Sequence, residues 1–202
     1  GSPYSVPVFT QPTGQTCPVS SGAGTISANV TGVMVNCVTP LHYAFTANSG
    51  DNSVSSFVVD NTTGQLTYIG KVAAGTAPIS IAVVPSGKYV YVANLGSGNV
   101  SNVSQYTIGT DGTLTPMSTA TVAAGIWPYA ITVDPSGRYV YVVNYWSNTI
   151  SQYTIGASGA LTPMATATVA AGLRPYSITI DPSSKYAYVA NGSDNVLQYT
   201  IG

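Results

Sequence analysis

Hydrophobic and polar positions alternate in short runs along most of the chain. The segments "ISIAVV", "YAITVD" and "YSITID" each lead into a proline-serine turn, and "KYVYVAN", "RYVYVVN" and "KYAYVAN" follow, with large and small side chains on alternating faces. A period of two with Tyr and β-branched residues predicts β-strands. A third strand is predicted over "VSQYTIG", "ISQYTIG" and "VLQYTIG". Two copies continue through "GTLTPMSTATVA" and "GALTPMATATVA" to a fourth, outer strand.

The strands recur in register. Pro78 to Pro128 is 50 residues and Pro128 to Pro175 is 47, the difference being three extra residues near Val100. A diverged earlier copy aligns Tyr43, Phe45 and Asn48 with Tyr139, Tyr141 and Asn144, with an inner strand expected over Val33–Cys37. Four strands at this spacing describe a propeller blade, a twisted sheet that buries both faces against its neighbours. The expected fold is all-β: a beta-propeller of four blades, each of four antiparallel strands, closed by an N-terminal strand from "YSVPVF" or "GTISANV". Residues 1–40 would form the closing segment and first inner strand, residues 41–202 the repeats, together one domain. Two alternatives stay open: a fragment of a larger ring, and a strand inserted into a neighbouring chain to give a homo-oligomer or filament.

Composition narrows the chemistry. Of 202 residues only 5% are charged, with no Glu, one His and a net charge of −1. Six Asp against five scattered bases leave no footprint for nucleic acid. Gly, Pro, Ser, Thr or Asn breaks every apolar run well short of the roughly 20 residues that a membrane span needs. Cys17 and Cys37 bracket a Ser/Gly/Thr-rich segment and are either a bridge or two buried thiols. With the distant His42 they give no four-ligand zinc pattern. The loops around Asp51 and Asp111 lack the EF-hand spacing and its terminal Glu, so no metal and no cofactor is expected.

The pattern P-x-x-I-x-V-x-P-S-G-x-Y-V-Y-V-x-N resembles the surface-layer-like YVTN repeat family, itself similar to the lactonase-type beta-propellers. The likeness spans residues 41 to 202. It is closest at Val90–Asn94 and Val140–Asn144 and weaker at Tyr186–Asn191 and Leu41–Asn48. The segment "TCPVSSGAGTISANVTGVMVNC" is similar to cysteine-bracketed stretches ahead of such repeats in secreted bacterial proteins. That likeness favours a Cys17–Cys37 disulfide and a secreted, cell-surface or periplasmic setting. It implies a structural or adhesive role with a homo-oligomeric, glycan or cell-surface partner, but supplies no ligand.

Candidate chemistry is sparse. Asp134 and Asp181 stand in repeated "VDP" and "IDP" turns, where a side-chain to backbone hydrogen bond is the natural role. His42 shares its strand position with Arg138 and Lys185 and reads as a solvent-facing side chain. No nucleophile elbow is present, and no residue is assigned as catalytic. The variable position of "GTAP", "GIWP" and "GLRP" holds Ala77, Trp127 and Arg174 at the entry to each inner strand. Trp127, Tyr129, Tyr145, Trp146, Arg174 and Tyr176 are therefore the candidate ligand-binding residues, an aromatic and cationic surface at one mouth of the ring. A structural or adhesive propeller is the leading expectation. A glycan- or small-molecule-binding module and a lactonase-like hydrolase are the alternatives.

Overall fold

A computed structural model describes residues 1–11, 16–37, 41–193 and 195–202, and the protein is all-β, with no helix among them. The chain divides into two compact units, Gly1–His42 and Tyr43–Gly202.

The first unit holds four short strands: β1 (Pro3–Ser5), β2 (Val19–Ser20), β3 (Ala23–Thr25) and β4 (Met34–Val35). β1 pairs antiparallel with β3, and β2 with β4. Cys17 and Cys37 form a disulfide across a sequence separation of 20 residues, bracketing the β2–β4 pair. These strands are mostly exposed, so the cross-link carries an unusual share of the unit's order. Closing a loop of that length removes about 3 kcal/mol of chain entropy from the unfolded state. A Cys17→Ser, Cys37→Ser double variant is expected to lose amide protection in β2 and β4 by hydrogen exchange while the second unit keeps its own.

The second unit is a series of four blades. The first has β5 (His42–Asn48), β6 (Ser53–Val59) and β7 (Leu66–Ala73). The second has β8 (Pro78–Val83), β9 (Tyr89–Ser97), β10 (Val100–Ile108) and β11 (Leu114–Ala123). The third repeats it as β12 (Pro128–Val133), β13 (Tyr139–Asn144), β14 (Thr149–Ile155) and β15 (Leu161–Ala170). The fourth has β16 (Pro175–Ile180), β17 (Tyr186–Asn191) and β18 (Val196–Thr200). Each is an antiparallel meander with strands in chain order. β12 packs against β8 on one side and β16 on the other, which identifies the first strand of each full repeat as the inner one.

Both strand faces are apolar because both are covered. Val90 and Val92 of β9 pack with Val54 of the first blade, while Tyr91 and Ala93 turn to Ile131, Val140 and Val142 of the third. In β13 the roles repeat: Val140 and Val142 face the second blade, and Tyr141 and Val143 face Ile178, Ala187 and Val189 of the fourth. Each such side chain contributes about 1.5–3 kcal/mol by leaving water. Tyrosine hydroxyls fix the register between blades. Tyr106 donates to Ala73 O at 2.8 Å, Tyr153 to Ala123 O at 2.6 Å and Tyr199 to Ala170 O at 2.7 Å.

The N-terminal expectations change here. The starts of the two candidate closing segments pair with each other as β1 and β3, a two-stranded sheet separate from the blade sheets. The inner strand expected over Val33–Cys37 is instead β4, held to β2 inside the disulfide loop. The first and fourth blades accordingly have three strands each among the described residues, and β18 is an edge.

Candidate functional site

One construction recurs at the entry to each inner strand of the repeats. Ala77, Trp127 and Arg174 have φ of 51°, 56° and 51°, the left-handed region that non-glycine residues seldom adopt. Backbone contacts hold them there. The Trp127 carbonyl accepts from Tyr145 N at 2.8 Å, as the Ala77 carbonyl accepts from Leu95 N at 3.0 Å and the Arg174 carbonyl from Gly192 N at 3.1 Å. Their own N–H groups donate to side chains at one shared repeat position, at or just before the start of β6, β10 and β14. Ala77 reaches Asn52 Oδ1 at 2.8 Å, Trp127 reaches Ser101 Oγ at 3.3 Å and Arg174 reaches Asn148 Oδ1 at 2.7 Å.

Beneath this loop lies the asparagine of the strand motif. Asn144 is fully buried and donates to Ser151 Oγ at 2.9 Å and Thr149 Oγ1 at 3.1 Å, while Gly125 N reaches the same Ser151 Oγ at 3.3 Å. A Cβ on Gly125 would stand 2.6 Å from the Asn144 side chain, so the loop can approach only as glycine. A rigid frame therefore carries a side chain that is free to differ from blade to blade.

The differences converge at the third and fourth blades. The ring of Trp127 stacks on Tyr145 (6.3 Å, 20°) and lies 5.5 Å from Trp146. Tyr129 contacts Tyr145 at 5.7 Å and meets Tyr176 edge-on at 6.1 Å, and Tyr145 and Tyr176 are 5.3 Å apart. The Arg174 guanidinium carbon lies 5.9 Å from the Tyr145 ring centre. All six predicted residues thus form one continuous cluster. Each of these ring pairs is worth about 0.5–1.5 kcal/mol, yet Trp127, Tyr129, Trp146 and Tyr176 keep 40% or more of their surface exposed. In the second blade the same positions hold Ala77, Ile79, Leu95 and Gly96. This large exposed aromatic surface on a repeated frame that is otherwise aliphatic is the candidate site, a shelf between the third and fourth blades.

The shelf offers hydrogen-bond donors more than bases. The side-chain hydrogen bond with Tyr145, in which the Tyr176 O–H is the donor, and the coulombic effect of that phenol raise the pKa of Tyr176 above its ordinary value, so it stays protonated near neutrality. Arg174 supplies a permanent positive charge.

Other singled-out residues lie elsewhere. Asp134 is fully buried and binds its own turn, accepting from Arg138 N at 2.8 Å and Tyr139 N at 2.7 Å as well as from the Ser136 hydroxyl. Asp181 repeats this with Lys185 N and Tyr186 N. His42 begins β5 and is exposed. Asp51 pairs with Lys71 at 2.8 Å, and Asp111 accepts from Thr113. Among the described residues no three His, Cys, Asp or Glu side chains group as metal ligands. Sequence reasoning missed Asn52, Ser101 and Asn148, which clamp the three entry loops. Their signal was their shared place, one residue before Ser53, Asn102 and Thr149, which hold the same repeat position near the start of β6, β10 and β14.

These blades define a propeller-like all-β fold with an aromatic cluster at the strand-entry loops of the third and fourth blades. The chain matches the lactonase family of seven-bladed beta-propellers over residues 9–125 and 102–202, and it belongs to that family. The periplasmic gluconolactonase of Pseudomonas aeruginosa has a similar fold, with a TM-score of 0.64 at 17% identity over 80% of this chain and 54% of that one. A protein of Bacteroides fragilis proposed to be a 6-phosphogluconolactonase gives a TM-score of 0.62 at 20% identity over 81% and 51%. A protein of unknown function from Desulfotomaculum acetoxidans gives 0.59 at 14% identity over 88% and 61%. No curated protein matches the chain. The chain spans between about half and three-fifths of the length of these structures.

Family membership overturns the expectation of a structural or adhesive scaffold. That expectation leaned on the YVTN likeness and on the scarcity of charge and acid-base groups. Those features describe how the repeats are packed, and a cluster of tyrosine, tryptophan and one arginine leaves little trace in a charge count.

Proposed function

We propose that the protein acts as a lactonase-type propeller that opens a sugar lactone, with the aromatic mouth of the third and fourth blades as its substrate face. The observation that carries this reading is the lactonase family match across almost the whole chain. The shelf suits such a ligand. Tyr129, Tyr145 and Trp127 offer faces for the C–H surface of a pyranose-like ring, and Arg174 with the protonated Tyr176 offers donors to a carbonyl oxygen that becomes negative as water adds. Water attacks the acyl carbon, the ring C–O bond breaks, one proton of that water passes to the departing ring oxygen, and the product is an open-chain hydroxy acid that releases its carboxyl proton near neutrality.

A single guanidinium in the cluster favours an unphosphorylated lactone, because a phosphate ester is ordinarily held by two or more charge-assisted contacts. The disulfide and the fold shared with a periplasmic gluconolactonase support an extracytoplasmic setting. The YVTN likeness of the repeats supports a surface location within that setting.

The test is proton release from glucono-δ-lactone in a pH-stat, above the spontaneous rate. Arg174→Gln is expected to lower kcat/KM by about 10–100-fold, roughly 1.4–2.7 kcal/mol of transition-state stabilisation. Trp127→Ala should act mainly through KM. Turnover indifferent to both substitutions would remove this mouth from the reaction. A second reading, binding without turnover, is favoured by the cluster's make-up of phenols, indoles and a guanidinium, with no carboxylate or imidazole among its members. Saturable lactone binding lost in Trp127→Ala, with no proton release, would select it.

A further inference from the structure

Trp127 and Trp146 are the chain's two tryptophans. Both lie on the third blade, whose inner strand β12 packs against β8 of the second blade and β16 of the fourth. Their exposure, 42% and 56%, is thus kept with a blade packed on either side. Neither indole joins the hydrophobic cores between the blades. The two loops that carry them are tied together. Trp146 N donates to Ile126 O at 3.2 Å, Ile126 N donates to Ser147 Oγ at 3.2 Å, and Tyr145 N donates to Trp127 O at 2.8 Å. Trp127 is held at φ 56°, a conformation costly for any residue but glycine, so the loop carries backbone strain under a large apolar side chain that stays in water.

The same two positions hold Ala77 and Gly96 in the second blade and Arg174 and Ser193 in the fourth, so the indole pair is an addition made on one blade. Its ring centres are 5.5 Å apart and its planes 47° from one another, which gives an angled surface and not a closed stack. The pair extends the shelf. Contacts run in order from the Arg174 guanidinium to the Tyr145 ring at 5.9 Å, from Tyr145 to Trp127 at 6.3 Å and from Trp127 to Trp146 at 5.5 Å. The positive charge sits at the Tyr145 end, and among the described residues no cation lies over either indole.

We infer that the Trp127–Trp146 surface is a subsite for a second, neutral sugar unit linked through a glycosidic bond to the lactone, with Trp146 as the residue that selects it. The substrate class is then a disaccharide aldonolactone. The inference rests on the lactonase reading for the other end of the ligand. A lactone ring over Tyr145, its carbonyl toward Arg174 and Tyr176, leaves Trp146 two ring contacts away, and a linked second ring covers it. A pyranose has an apolar face of C–H bonds and a rim of hydroxyls, so the face leaves water against an indole while the rim stays hydrated. The reaction is the one already given: the lactone C–O bond opens and the glycosidic bond stays intact.

Because the chain has only these two tryptophans, indole emission from the full chain reports on this surface alone. Cellobionate, the open disaccharide acid, is expected to change that emission saturably and to bind about 10-fold more tightly than gluconate, the worth of one added ring contact. Trp146→Ala should remove that advantage, and Trp146→Phe should restore most of it. In the pH-stat, kcat/KM for cellobiono-δ-lactone should exceed that for glucono-δ-lactone by about 10-fold, and Trp146→Ala should abolish the ratio through the KM of the disaccharide. Equal affinity for the two acids, or a preference that survives Trp146→Ala, would overturn the inference, while turnover of glucono-δ-lactone by the same samples would leave the lactonase reading standing. No turnover of either lactone would overturn that reading, and the emission titration would then decide the subsite by itself. An emission change that follows protein concentration and not sugar would assign the indoles to contact between copies of the chain and overturn the inference as well.

Discussion

Gly159→Ala in the intact protein is expected to cost about 4 kcal/mol, whereas Gly64→Ala should cost only about 1 kcal/mol. Both glycines hold equivalent hairpin positions with positive φ, +83° and +72°, so the backbone penalty for a side chain is common to both. They differ in what the new methyl meets. At Gly64 nothing lies within 4 Å, but at Gly159 the Cβ lands 2.4 Å from the Tyr89 ring. Relief requires the hairpin to withdraw, and the hairpin also carries the acceptor for Tyr91 and the N–H bound by Gln105, both fully buried. For a protein of this size the loss lowers the thermal midpoint by about 8–16 °C. Equal effects at the two glycines would show that the contacts of this hairpin with Tyr89, Tyr91 and Gln105 contribute nothing beyond backbone strain.

That contrast separates what the sequence made legible from what it did not. Period-two alternation over "YVYVAN" and "YVYVVN" identified the strands, and repetition identified blades. The reason both faces of β9 and β13 are apolar, burial between two neighbours, follows from the repeat alone. The N-terminal segment escaped because it has no second copy. "YSVPVF", "GTISANV" and "VMVNC" are each extended by composition, and nothing in their pattern says that they pair among themselves rather than with a blade.

The site was legible where the repeats disagree. Trp127 and Arg174 stood out against Ala77 in an otherwise uniform turn, and the structure joins them with Tyr129, Tyr145, Trp146 and Tyr176 into one cluster. The function was harder to read, because a cluster of phenols, indoles and one guanidinium has no motif of fixed spacing. Its members come from three separate loop and strand positions, and only the fold brings them together.

Asp134→Ala is the second large effect, expected at about 3–5 kcal/mol at neutral pH. The carboxylate is wholly buried and accepts from the backbone N–H groups of Ser136, Arg138 and Tyr139 at 3.1, 2.8 and 2.7 Å. Alanine strands these donors without water. Asp181 makes the same turn closer to solvent, and its loss should cost about 1–2 kcal/mol. Burial alone pushes the Asp134 pKa up, but the hydrogen bonds from Ser136, Tyr139 and Arg138 outweigh it and hold the group below the ordinary Asp value. A carboxylate whose folded pKa is depressed stabilises fully above its unfolded pKa of about 3.9 and loses that contribution as pH falls through the folded value. Denaturant midpoints of wild type and Asp134→Ala should therefore differ most at pH 5–7 and draw together below about pH 4, through loss of stability in the wild type. A difference that stayed constant down to pH 2 would mean that the turn is held by its backbone geometry and that the charge contributes nothing.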